Sequence, residues 1–189
     1  MITDKKSLLQ YIEEDVAHHG GSKPSIKDFL VQNEWWFIYH LLFHLRHVEF
    51  YTNKKHINSL SKIIDKIFLF YHTLMYKRLS FKLHIIIYPN TCGAGLKICH
   101  CGDFTHVAEH CKIGKNCEIL PGVVFGKKGG QLVKTMVGDN CYFGLGAKII
   151  GSVTIGNNVT VGANAVVVKD IPDNAVVAGI PAKVIRINE

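Results

Sequence analysis

The chain has 189 residues, 48% of them hydrophobic, and a formal net charge of +7. A chain of this length can bury one substantial core or two small coupled cores. Its basic residues are spread over both halves and form no stripe, which argues against a nucleic-acid partner.

An α-helical amino-terminal domain is predicted over residues 1–84. Apolar positions such as Leu8, Ile12 and Val16 recur at helical spacing before a glycine turn, and Ser25 is placed to cap the next helix. The first ten residues are charged and contain no long apolar run, so they do not read as a secretory signal.

Two long segments complete this domain. Residues 34–50 are dense in apolar and aromatic side chains, and a further helix is predicted over residues 56–81. The nearly apolar stretch 67–76 is too short to span a bilayer, so we expect it to pack on other helices, with a position on a membrane surface as the alternative.

Three histidines, His40, His44 and His47, share one side of the helical segment 34–50 at a spacing that can suit a metal. The pattern of a hydrolytic zinc site also requires a carboxylate among them, and none is present. We therefore expect no metal there.

A six-residue repeat dominates the second half of the chain. In one register, every sixth residue is apolar, with a single interruption between residues 125 and 137. Its members are Ile113, Ile119, Phe125, Val137, Phe143, Ile149, Ile155, Val161 and Val167. A second register, two positions earlier, holds small or β-branched residues, and asparagines follow several corners, where a left-handed turn is expected. Because such units cannot bury their apolar faces alone, residues 85–189 are predicted to stack into a β-solenoid.

The cysteines fit the same repeat. Cys111, Cys117 and Cys141 occupy the small-residue register, and continuing it backwards by twelve places Cys99 in the same column. There they are explained as small buried side chains, not as zinc ligands or disulfides. Free thiols in a chain with no recognised signal predict a cytoplasmic protein.

The interruption of the repeat is the first candidate for function. Residues 126–134 contain three glycines and three lysines, including Gly126 and Lys127. Lysine charge and bare backbone N–H groups can approach a phosphate or a carbonyl oxygen, so these two residues are candidate cofactor contacts. A flexible surface loop is the alternative.

Three segments carry a resemblance to a known family. They read GLKICHCG over 95–102, KIGKNC over 112–117 and DIPDNAVVAGIPAKVI over 170–185, and they resemble the hexapeptide-repeat O-acetyltransferases, especially the serine acetyltransferase-like branch. The resemblance implies a mainly β fold, a left-handed parallel β-helix preceded by an α-helical domain. It also implies acetyl-CoA as co-substrate and no metal. The implied assembly is a homotrimer in which each active site is shared by two subunits, and two trimers could pair further.

The same resemblance implies roles for individual residues. His100 matches the histidine that acts as general base on the acceptor hydroxyl, a task suited to imidazole at neutral pH. By position alone, His106 and His110 remain alternatives. Asp15 and Lys134 are candidate substrate contacts. The further cofactor contacts that it implies are Gly144, Leu145, Gly162, Ala163, Lys169 and Lys183.

The chain also departs from the family pattern. Cys99 and Ile86 stand where an acidic residue would orient the histidine, and Lys134 stands in for an arginine that grips the amino-acid carboxylate. These departures favour a sugar acceptor in a surface or capsular polysaccharide or its precursor, with serine O-acetylation in cysteine biosynthesis as the alternative. Less favoured are a non-catalytic solenoid and a zinc carbonic anhydrase-like protein using His100, His106 and His110.

Overall fold

The computed structural model describes residues 1–55, 59–127, 129 and 133–188. Its helices come first in the chain, and they are α1 (Lys5–His18), α2 (Ile26–Leu30), α3 (Glu34–Asn53) and α4 (Ser59–Leu83). Within the described residues, no helix is both long and apolar enough to cross a membrane. Residues 56–58, where the last helix was predicted to begin, lie outside the described part.

Side chains at the helix starts explain the helix boundaries. Asp4 caps α1 by accepting a hydrogen bond from the Ser7 backbone N–H (2.8 Å). Ser25 is the N-cap of α2, as predicted, and Asn33 caps α3. The sequence did not predict the break between α2 and α3, where Gln32 takes a left-handed conformation (φ 53°).

After His84 the chain winds into a three-sided parallel β-helix. Sheet A contains β1 (Ile85–Ile87), β3 (Thr105–Val107), β6 (Val124–Gly126), β9 (Lys148–Ile150) and β12 (Val166–Val167). Sheet B contains β4 (Cys111–Ile113), β7 (Thr135–Val137) and β10 (Thr154–Ile155). Sheet C contains β2 (Lys97–Ile98), β5 (Glu118–Ile119), β8 (Tyr142–Phe143), β11 (Thr160–Val161), β13 (Ala175–Gly179) and β14 (Ala182–Ile187). Every paired strand is parallel except β14, which runs antiparallel to β13 at the edge of sheet C.

Both predicted registers line the interior. All nine members of the apolar register are at most 6% exposed, and the small-residue register, including Cys111, Cys117 and Cys141, is buried beside it. The asparagines behave as predicted: Asn116, Asn140, Asn158 and Asn164 all have positive φ, between 53° and 57°. Three of them and Asn174 form a ladder of side-chain amide hydrogen bonds from coil to coil.

A buried ion cluster fastens the helices to the first coil. Arg46 is 0% exposed, and all five of its N–H groups are bound. It donates twice to Asp15 (2.9 and 3.2 Å), once to Glu49 (3.0 Å), and to the carbonyl oxygens of Cys92 (3.0 Å) and Gly93 (2.7 Å). One guanidinium therefore ties α1, α3 and the coil together.

The carboxylates of this cluster are also bound to the coil backbone. Asp15 accepts from the Leu96 backbone N–H (2.8 Å), and Glu49 accepts from that of Asn90 (2.7 Å). Asp15 is only 3% exposed. Because both its oxygens are occupied inside the protein, we assign Asp15 to joining helix and coil, in place of the substrate contact expected from the sequence.

The histidines of α3 make contacts with α4 that predict acid sensitivity. The Nδ1 atoms of His44 and His72, both buried, are 2.9 Å apart, and the ring of His47 stacks on His72. Burial, followed by repulsion from neighbouring histidines, lowers the pKa of both His44 and His72 to about 4. The interior of this helix pair therefore favours neutral imidazoles.

Stability should fall on acidification for this reason. Below about pH 6.5, the usual pKa of histidine in an unfolded chain, the unfolded protein binds more protons than the folded one. The contribution of these two histidines to stability is therefore fully present above about pH 6.5 and is lost as the pH falls towards 4. We expect the melting temperature to drop by about 4 to 8 °C across this window, for a loss of roughly 2 kcal/mol after solvent screening. A double variant, His44→Phe with His72→Phe, should flatten the profile measured by thermal scans, whereas the exposed His100→Gln should not. An unchanged profile in the double variant would contradict this origin.

Candidate active site

His100 lies in an insertion that the sequence did not reveal. In the following coils, up to Phe125, consecutive interior residues are six positions apart, but Ile98 and Val107 are separated by nine. The turn 99–104 therefore holds three extra residues and carries His100 on the surface, with 69% of its side chain exposed. The insertion also shifts the register, so the placement of Cys99 in the interior column was wrong.

Glu34, the first residue of α3, contacts this histidine. Its Oε2 atom is 3.0 Å from His100 Nδ1, and its Oε1 atom accepts a longer contact from the Cys101 thiol (3.7 Å). An ionised carboxylate can only accept hydrogen bonds, so Nδ1 is the protonated ring nitrogen. In the neutral ring, His100 Nε2 is then left with a free lone pair, as a general base requires. Glu34 was not predicted as a site residue; its signal in the sequence is a carboxylate directly after the Asn33 cap.

A cleft of about 370 Å³ opens beside the pair, between the helical part and the first coil. Its lining includes His19, Trp35, Lys97 and Ile98 as well as His100. Burial lowers the pKa of His19, which as a neutral ring accepts from the Ile98 backbone N–H (3.1 Å) through Nε2. The cleft thus combines an exposed imidazole with an aromatic and apolar wall.

The cysteines flanking His100 are not activated as nucleophiles. Burial and a hydrogen bond to the Glu118 carboxylate raise the pKa of the Cys99 thiol to about 12. Burial, followed by the charge of Glu34, raises the pKa of Cys101. Since the thiolate is the reactive form, both residues remain protonated near neutral pH. This arrangement suits direct transfer through a base better than a covalent thioester intermediate.

Most of the predicted cofactor residues lie on two edges of the three-sided β-helix, where the chain turns from one sheet to the next, and Lys183 lies on strand β14. The C-to-A edge comprises the turns 99–104, 120–123, 144–147 and 162–165, so His100 shares it with Gly144, Leu145, Gly162 and Ala163. The turns of these last four residues are stacked, since the Leu145 carbonyl accepts from the Asn164 N–H (2.7 Å). A Cβ on Gly144 would lie 2.7 Å from the Ala163 nitrogen, so glycine lets the two coils approach closely.

The remaining candidates lie elsewhere on the coil. Lys127, Lys134 and Lys169 belong to the A-to-B edge, which follows the strands of sheet A, and Gly126 ends β6 beside them. Lys127 pairs with Glu109 (3.4 Å), and Lys183 is exposed on β14. Residues 128 and 130–132 of the interruption are outside the described part. One chain therefore does not bring these residues to His100.

The histidine alternatives have different surroundings. The ring of His106 is half-buried and stacks on Phe104 (5.8 Å between centroids). Both ring nitrogens of His110 are buried, and neither has a hydrogen-bond partner among the described residues. In the described ranges, no group of three or more His, Cys, Asp or Glu side chains is arranged to hold a metal.

Comparison with known proteins agrees with this architecture. The family model described as bacterial transferase hexapeptide (six repeats) matches residues 134–169. The chain is 31% identical to a serine acetyltransferase of Staphylococcus xylosus over 183 residues, which are 95% of this chain and 78% of that protein. The serine acetyltransferase of Neisseria gonorrhoeae superposes with a TM-score of 0.70 at 25% identity, covering 98% of this chain and 68% of that one. The enzyme of Brucella abortus in complex with coenzyme A has a TM-score of 0.66 at 21% identity, covering 97% and 68%.

Fold and site together define a hexapeptide-repeat acyltransferase, an acetyl-CoA-dependent O-acetyltransferase. More narrowly, the chain belongs to the serine acetyltransferase family. The predicted fold class, a left-handed parallel β-helix behind a helical amino-terminal part, is confirmed, and so is acetyl-CoA as the co-substrate.

Proposed function

We propose that this protein transfers the acetyl group of acetyl-CoA to the hydroxyl of L-serine, with His100 as general base. The observation that carries the role of His100 is the Glu34 contact, which leaves Nε2 as an exposed acceptor beside the cleft. Membership of the family supports serine over the sugar acceptor expected from the sequence.

The proposed reaction is a single displacement. His100 Nε2 removes the hydroxyl proton as the oxygen attacks the thioester carbonyl, and a tetrahedral intermediate forms. Its collapse breaks the carbon–sulfur bond, and the imidazolium returns the proton to the departing thiolate. The products are the acetyl ester and free CoA. General base catalysis of this kind contributes about 10²- to 10⁴-fold in rate.

The proposed position of acetyl-CoA follows the C-to-A edge. Leu145 and Ala163 are exposed on stacked turns of that edge, and the buried Gly144 lets those turns approach each other closely. The carbonyl and N–H groups of such turns suit the amides of a pantetheine arm. Lys169 and Lys183 are proposed to meet the phosphates, since both carry exposed cationic side chains.

We propose that the functional unit is a homotrimer. His100 and Lys134 lie on different edges of one β-helix, so a site that uses both requires a neighbouring subunit. The outer surface of α4 supports a further association of trimers. Its exposed apolar side chains include Leu60, Ile63, Ile67, Phe70, Leu74 and Phe81.

A sugar hydroxyl is the second candidate acceptor. The observation in its favour is that Lys134 supplies only a point charge where a carboxylate grip calls for a planar, bidentate guanidinium. Hydroxyls of a sugar need no such grip.

Thiol release from acetyl-CoA tests the two acceptors directly. We expect turnover with L-serine. With D-serine or glycerol the turnover should be lower by about tenfold or more, because these molecules present a hydroxyl without the same carboxylate and ammonium geometry. A panel of amino sugars and nucleotide sugars is assayed in parallel. Turnover with a sugar but not with L-serine would replace serine by the second candidate, and release with neither would remove both.

A further inference from the structure

The cleft depends on a carboxylate from the helical part of the chain. Neither of the coil positions expected to hold an acid for His100 is acidic, because Cys99 precedes it and Ile86 occupies the other position. The contact instead spans 66 residues of sequence, from the start of α3 to the inserted turn. Glu34 and the insertion thus meet only in the folded molecule.

We propose that Glu34 is a positioning residue, which holds His100 in the tautomer that carries hydrogen on Nδ1 and presents Nε2 to the acceptor hydroxyl. This inference rests on the proposed role of His100. It adds that the helical part completes the active site, so the coil alone would hold an unoriented base.

The location of Glu34 suits a hydrogen-bond acceptor. It is the first residue of α3, where free backbone N–H groups and the helix dipole stabilise an anion. Its two oxygens receive different donors, His100 Nδ1 and the Cys101 thiol. The raised pKa of Cys101 keeps that thiol protonated as a donor. Glu34 is therefore held as an acceptor for the ring.

Neighbouring residues fix the start of α3 against the coil. The Asn33 side chain accepts from the Trp35 backbone N–H (3.0 Å), and the Trp35 indole donates to the Ser22 carbonyl (3.0 Å). The Trp35 ring also stacks on His19, with 4.3 Å between centroids. His19 in turn binds the backbone of Ile98, two residues before His100. This series of contacts leaves Glu34 little freedom to move away from the imidazole.

The effect is expected on orientation, with little effect on stability. The His100 and Glu34 side chains are 69% and 49% exposed, and an ion pair with this exposure contributes little to folding. An exposed imidazole without a partner at Nδ1 prefers its hydrogen on Nε2, which removes the free lone pair from the reacting side. One acceptor at Nδ1 reverses that preference.

The test reads the tautomer directly in the full chain. Nitrogen-15 NMR of the labelled histidine rings distinguishes Nδ1–H from Nε2–H, and the His100 signals are assigned by their loss in His100→Asn. In the wild type we expect Nδ1–H. Glu34→Ala should switch the ring mainly to Nε2–H, whereas Glu34→Gln, which keeps an acceptor oxygen, should retain Nδ1–H. The matched control is Glu14→Ala, which removes a half-buried carboxylate of α1 that binds only Gln10 among the hydrogen bonds described.

Kinetics provide the second measurement. Glu34→Ala should lower kcat about 10- to 100-fold with the KM for acetyl-CoA unchanged, and Glu34→Gln should recover most of that loss. An unchanged tautomer in Glu34→Ala would overturn the inference, whatever the activity. If the tautomer switches but the wild type acetylates no acceptor, the proposed function fails and the role of Glu34 towards His100 stands.

Discussion

Replacing His100 by alanine is expected to lower kcat for acetyl transfer by about 10²- to 10⁴-fold, which is the usual contribution of a general base. The KM for acetyl-CoA should change little, because the stacked turns proposed to hold the cofactor are separate from the His100 side chain. Steady-state release of CoA with L-serine, at saturating acetyl-CoA, measures both quantities.

The matched control is His106→Ala. His106 lies in the same region of the coil, but its ring is half-buried against Phe104. Its loss should leave most of the activity. The reverse result, an inactive His106→Ala and an active His100→Ala, would move the base to His106 and remove the role assigned to the inserted turn.

Replacing Arg46 by methionine is expected to reduce the free energy of unfolding by about 3 to 5 kcal/mol, because a buried ion pair loses one partner and leaves uncompensated charge. Asp15 and Glu49 are 3% and 2% exposed, so water cannot take the place of the guanidinium. Urea titration followed by circular dichroism gives the loss. Partial detachment of the helices would also appear as a broadened transition.

Lys127→Met is the control for this substitution. Lys127 pairs with Glu109 at 3.4 Å, and both side chains are at least half exposed. Such a pair contributes at most about 1 kcal/mol, so the control should unfold almost as the wild type does. A loss from Arg46→Met no larger than that of the control would show that the buried cluster does not join the two parts.

The coil could be predicted because its physics is periodic. A three-sided β-helix repeats its interior position every six residues. Each coil therefore shows the apolar repeat three times, once on each side. The asparagine corners follow from a backbone conformation that few other residues accept. Helix starts were predictable where a cap stands before an apolar run, as at Ser25.

The errors arose where the period changes. Counting backwards by twelve from Cys111 placed Cys99 in the interior, although its neighbour Ile98 is the residue that is buried there. Only the strand pairing of Ile98 with Ile119 shows which residue is inside. The insertion that misled the count is the same turn that displays His100.

Glu34 could not be found by spacing, because its partner is 66 residues away and no local pattern links them. The partners of Asp15 could not be predicted for a related reason. An acidic residue on a helix is expected to be exposed, and no local pattern shows that Asp15 pairs with Arg46, which lies 31 residues later in the chain.

The reversed strand at the end of the coil bears on solubility. Stacked parallel coils expose hydrogen-bonding groups at their last turn, and a second molecule could continue the stack as a growing fibre. β14 folds back antiparallel along β13 and presents the charged side chains of Lys183 and Arg186 on an exposed strand. A parallel coil cannot be continued across this reversed and positively charged edge, so β14 protects sheet C from end-to-end polymerisation.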